Sequence, residues 1–215
     1  MTSPADQLTA RWQVLAGDLG WPPDRARLVG QELIDRYGEG HRRYHDQGHV
    51  LAVLDALDDL TDGSPSAVTR LAAWYHDAIY DGIAGEDEEA SARLAERQLR
   101  ELGLAADKVG RVAGAVRATA HHAEPASDHD PETALVLDAD LSPLAAGADT
   151  YAANTEAIRA EYSHVSDEAF RAGRLAVIEA LLGREHLFMT PQGRARYEEQ
   201  ARTNLSRERA QLLGH

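Results

Sequence analysis

The sequence predicts an all-α protein, built as one helical domain over residues 1–215. Three observations carry that expectation. Apolar residues recur at spacings of three and four in almost every segment, and no period-two alternation holds over a strand's length. Helix starts and stops punctuate the chain, with Ser, Thr or Pro opening segments and Gly closing them. No repeat, low-complexity tract or long polar linker divides it.

Taken in order, Ser3-Pro4 with Asp6 reads as a helix start, and Leu8, Trp12, Leu15 and Leu19 form its apolar stripe before Gly20. Pro22-Pro23-Asp24 opens a second helix with an apolar face of Leu28, Val29, Leu33, Ile34 and Tyr37. A stretch dense in ionisable groups, His41 to His49, leads into the stripe Val50, Leu51, Val53, Leu54, Leu57 and Leu60. After Thr61–Pro65 a central helix is expected from about Ser66 to Tyr80. Glu86–Glu89 then supplies the acidic first turn that a helix N-terminus favours. Val109, Val112, Ala113, Val116 and Ala120 run into His121-His122. Ala134–Leu137 is short enough for strand or helix, and helix is expected because no strand partner is visible. Three further helices are expected at about 148–162, 167–183 and 191–212.

Composition narrows the function. The formal charge is −14, which argues against general nucleic-acid or anionic-membrane binding. An anionic substrate then needs a local positive centre. With no cysteine, disulfides, thiolate zinc sites and cysteine nucleophiles are all excluded. The N-terminus lacks a basic and then apolar leader, and no run of about 18 apolar residues exists, so a cytoplasmic location is expected. A homodimer is compatible with such helical surfaces, although no seam singles one out.

The informative stretch is Leu71–Tyr80, an apolar segment that carries His76-Asp77. Three His-Asp pairs occur, where ten His and nineteen Asp in 215 residues give about one by chance (10 × 19 / 215). Only the middle pair is flanked by apolar residues, where an ionisable group needs a partner or a metal. Other segments do the same. His45 and His49 share a face if both are helical, His121-His122 end a stripe, and Asp138 and Asp140 close one. Imidazole and carboxylate without sulfur suit a divalent Mn, Fe, Co, Ni, Zn or Mg ion. Simpler roles exist for individual members. Asp138 or Asp140 can cap a helix, Glu86–Glu89 can be first-turn charge, and Arg42 and Arg43 can be a solvated face. His129, His164, His186 and His215 read as surface residues.

The order His, then His-Asp, then Asp across helices resembles the HD superfamily of metal-dependent phosphohydrolases. The closest resemblance is to a bacterial branch described only as predicted phosphohydrolases. It is carried by Arg43-Tyr44-His45-Asp46-Gln47-Gly48-His49, Trp74-Tyr75-His76-Asp77-Ala78-Ile79-Tyr80, Glu88-Glu89-Ala90-Ser91 and Leu137-Asp138-Ala139-Asp140-Leu141. Arg159-Ala160-Glu161-Tyr162 and Glu198–Leu205 also match, so the resemblance covers about residues 10–207.

The resemblance implies a single HD-type domain with its metal site between central helices. It makes His76 and Asp77 ligands, Asp140 the closing ligand, and either His45 or His49 the opening one. His122 resembles a histidine associated with a second metal. The implied substrate is a small phosphomonoester or nucleotide, attacked by a metal-activated water. In that mechanism Asp77 holds and tunes the ion, Arg43 or Arg42 contacts phosphate, and Glu88 or Asp138 orients the water. Two alternatives stay open: a helical metal-binding module without turnover, and a di-iron oxygenase using the extra histidines.

Overall fold

The computed structural model describes residues 2–121 and 129–214. They form ten α-helices and two short 3₁₀ turns, with no strand among the described residues. The helices are α1 (Pro4–Asp18), α2 (Pro23–Tyr37), α3 (Gln47–Leu60), α4 (Ala67–Tyr75) and α5 (Glu86–Glu101). They continue as α6 (Ala106–Ala118), α7 (Pro131–Leu141), α8 (Ala148–Glu161), α9 (Asp167–Leu182) and α10 (Pro191–Leu213). The expected starts hold where local chemistry sets them. Ser3 and Asp6 form a capping box on α1, and Ser66, Asp130, Ser166 and Thr190 each accept a backbone N–H at the start of their helices.

Helices α1–α7 surround the larger core, in which Leu33, Tyr37, Leu57, Leu71, Trp74 and Leu99 are fully enclosed. Each such side chain contributes roughly 1.5–3 kcal/mol by leaving water. A smaller core of Ile178, Leu181, Leu187, Phe188, Ala201 and Leu205 lies between α9 and α10. Tyr197 packs against both cores. Asp138 ties them further: its carboxylate accepts the Met189 and Thr190 backbone N–H groups at 2.6 and 2.8 Å and the Thr190 hydroxyl at 2.6 Å.

Two expectations change. Leu28, which the sequence pattern places on the inner face of α2, is 62% exposed, and Ala26 and Gly30 are buried instead. The Trp12 indole presses directly on Gly30, where an added Cβ would overlap the ring. The indole N–H donates to the Ala26 carbonyl at 2.6 Å. Small residues on α2 therefore admit a large one from α1.

The central helix also ends at Tyr75, five residues short of the expected end, with His76 as its C-cap. Tertiary partners capture the backbone there. The Tyr37 hydroxyl donates to the Trp74 carbonyl at 3.2 Å and accepts the Asp77 N–H at 3.3 Å. The Arg42 guanidinium donates to the carbonyls of Asp77 and Ala78 at 2.7 and 3.2 Å. Groups that would have continued the helix are thus satisfied from outside it.

Candidate metal centre

His76 leaves the end of α4 with its side chain fully buried. Its Nδ1–H donates to the Ala73 carbonyl at 2.8 Å, which leaves Nε2 as the lone-pair nitrogen of the neutral ring. That outer hydrogen bond also fixes the ring's orientation, as in metal-bound imidazoles. Asp77 follows on the turn that Arg42 holds. His49 comes from the first turn of α3, whose N-cap Asp46 accepts the N–H groups of Gly48 and His49. Asp140 comes from the last turn of α7.

These four side chains meet. The Nε2 atoms of His49 and His76 are 3.0 Å apart. Asp77 Oδ2 lies 3.1 Å from His76 Nε2 and 3.5 Å from His49 Nε2. Asp140 Oδ1 lies 3.1 Å from His49 Nε2 and 3.5 Å from His76 Nε2. His49, His76 and Asp77 each offer a ligand atom within 4.8 Å of the others, a cluster that can hold a metal ion. The donor set is nitrogen and oxygen, as borderline divalent ions prefer. Two ring nitrogens and two carboxylates face one small space, which fits an ion. His49 Nδ1, the ring nitrogen turned away from that space, is buried without a hydrogen-bond partner.

The electrostatics agree. Burial works against the charged form of His76, but the Asp77 and Asp140 carboxylates overcome it and hold the imidazole well above its usual range. His49 is raised in the same way against its own burial, by Asp140 and Asp77. Burial pushes Asp77 up, yet His76 and His49 hold it well below the carboxylate range. Without a metal, this site keeps protons where an ion would sit.

The structure separates the two candidate opening histidines. His49 is in the cluster. His45 precedes α3 and shares no helical face with His49, because Asp46 caps the helix between them. Its Nδ1 bonds Glu161 Oε2 at 2.7 Å, and its ring stacks on Tyr80 at 4.3 Å. Glu161 also accepts the backbone N–H groups of Arg43, Tyr44 and His45 at 2.8, 2.8 and 2.9 Å, and the Tyr80 hydroxyl at 3.1 Å. Although burial raises it, these donors hold the Glu161 carboxyl down at about 2.

Glu88, Asp138, Arg42 and Arg43 each have other partners. Glu88 accepts the Gly85 N–H at 2.6 Å and so caps its own helix. Asp138 is the tether to Thr190 described above. Arg42 is buried against backbone carbonyls and the rings of Tyr37 and Tyr80. Arg43 is exposed, and its Nη1 donates to the carbonyls of Gly40 and Arg42. His122 lies outside the described residues.

Sequence reading gave Glu161 and Tyr44 no role. A glutamate at the C-terminal end of α8 opposes the helix dipole, which was the available signal that something else holds it. The Tyr44 ring lies tilted against His49 at 5.0 Å, and burial with the nearby Asp140 and Asp77 raises its phenol. It therefore remains a proton donor.

In comparisons with known proteins, no family model, curated protein or solved structure matches the chain. No helix among the described residues is long and apolar enough to cross a membrane.

Proposed function

We propose that the chain is a metal-dependent phosphohydrolase of the HD type, acting on a small phosphorylated molecule or nucleotide. The observation that carries this reading is the convergence of His49, His76, Asp77 and Asp140 from α3, the end of α4 and α7. It supports the His, His-Asp, Asp order noted in the sequence.

In this reading those four residues hold the ion. A bound divalent ion supplies an activated water and stabilises charge on the phosphoryl group. The protein's own part is positioning. Ala73 sets the His76 tautomer, and Arg42 holds the turn that carries Asp77. Tyr44, kept protonated, offers a hydrogen bond beside His49. Because the imidazoles are neutral as ligands, the ion competes with protons for the site.

A helical metal-binding module without turnover is the second reading. The near-complete burial of His49 and His76 favours it, since an ion there also ties three helices together. The di-iron reading draws on the extra histidines, of which His45 has its Nδ1 on Glu161 and His122 lies outside the described residues.

The test is metal content of the purified protein, with phosphate release from sugar phosphates and nucleotides under Mn, Co, Ni, Mg or Zn. Phosphate release that chelator removes supports the hydrolase. Silence across the panel, with a melting temperature that collapses under chelator, supports the module.

A further inference from the structure

A cleft of about 640 Å³ opens beside the cluster, and His49 is part of its wall. One side is a stripe of α3: Gly48, Ala52, Asp55, Ala56 and Asp59. The other is the facing stripe of α8: Thr150, Ala153, Asn154 and Ala157. The next position on that α8 face is Glu161, whose carboxylate fastens the helix end to residues 43–45. The cleft is therefore bounded by a helix pinned at its end. Alanines line both sides, so its walls are largely apolar.

Its charge is polarised. Arg43, Tyr44 and His49 lie at the end near the cluster, and Arg43 is the one guanidinium in the lining. Along α3 the carboxylates follow. Asp55 is six residues from His49 and Asp59 ten, about 9 and 15 Å at the helical rise of roughly 1.5 Å per residue. The α8 wall carries no charge. Asp46 caps α3 and Asp55 is bridged to Arg11, which leaves Asp59 as the carboxylate of the far end.

We infer that this cleft takes the body of a phosphomonoester that is largely apolar and ends in an amine, with the phosphoryl group at His49 and the ammonium near Asp59. The inference rests on the phosphohydrolase reading for the phosphoryl end alone. A polyphosphate or a carboxylate-bearing body would meet the acids of α3, where Arg43 is the one cation of the lining and Arg11 is already bridged to Asp55 and Asp58.

The experiment is calorimetric titration of the Mn-supplied protein with three octylphosphonates, ending in an amine, a methyl or a carboxylate. None can be hydrolysed, so binding is read apart from turnover. The amine-ended compound is expected to bind at least tenfold more tightly than the carboxylate-ended one, with the methyl-ended between. Asp59→Lys, on an exposed helix position away from the cluster, is expected to reverse the order. Equal affinities, a preference for the carboxylate, no binding of any of the three, or an unchanged order in Asp59→Lys each overturn the inference. If no phosphoester is cleaved but the order holds and reverses, the hydrolase reading falls and the amine-selective cleft stands.

Discussion

His49 Nε2 and His76 Nε2 face each other at 3.0 Å, with Asp77 and Asp140 on either side. In the metal-free protein two rings this close rest together where a proton lies between them or is shared with the carboxylates. That gives the site opposite pH dependences with and without an ion.

The raised imidazoles stabilise the metal-free fold fully below the unfolded histidine value of about 6.5, and lose that contribution as pH rises through their folded values. The depressed Asp77 stabilises above the unfolded value of about 3.9 and loses its contribution as pH falls through its folded one. The chelated protein should thus melt highest between about pH 4 and 6.5, and its melting temperature should fall toward pH 9. Metal affinity should rise over that same alkaline range, because the ligands must first lose protons. Thermal melts with and without chelator check both; a metal-free melting temperature that climbs from pH 6 to 9 contradicts the first.

Asp77→Asn keeps volume and removes a ligand charge. Metal content should drop, and any metal-dependent phosphate release should fall by several orders of magnitude. The variant should still unfold cooperatively. Full activity with wild-type metal content would show that the carboxylate has no part in holding the ion.

Asp138 and Asp140 should separate cleanly. Asp140→Asn is expected to weaken metal binding. Asp138→Asn should leave metal content unchanged but cost about 1–3 kcal/mol of stability, because Met189 and Thr190 lose a charged acceptor. Urea unfolding beside metal analysis measures the two effects, and the reverse pattern would exchange the two roles.

Glu161→Gln should cost about 2–4 kcal/mol at neutral pH, because three backbone donors, His45 and Tyr80 all lose a charged partner. The wild-type contribution is present above the unfolded glutamate value of about 4.3 and is lost as pH falls through about 2. The gap between wild type and variant should therefore narrow in urea melts run at pH 3. A gap that stays constant from pH 7 to 3 would mean that charge is not what the site requires.

Gly30 and Gly114 test packing. Gly30→Ala forces a methyl against the Trp12 indole and should destabilise by about 1–3 kcal/mol. Gly114→Ala, in α6 with open space around it, should stabilise by about 0.5–1 kcal/mol. Chemical denaturation distinguishes them by sign.

Helical class, most helix starts and the candidate ligands His49, His76, Asp77 and Asp140 were legible because each is a local property. Period, cap chemistry and an ionisable group set among apolar neighbours all lie within a few residues of chain. What tertiary structure decided were choices between equivalent local options. His45 and His49 look alike in sequence, but Glu161, arriving from more than a hundred residues away, takes His45. Asp138 and Asp140 differ by two positions, and two positions on a helix turn a side chain toward another face. One meets Thr190 and the other the cluster. The central helix could have run to Tyr80 by its own pattern. It stops at Tyr75 because Tyr37 and Arg42, from other segments, capture the backbone groups that would have extended it. Local pattern determined which residues could serve, and long-range hydrogen bonding selected among them, because buried polar groups are satisfied by whichever partner the fold brings within reach.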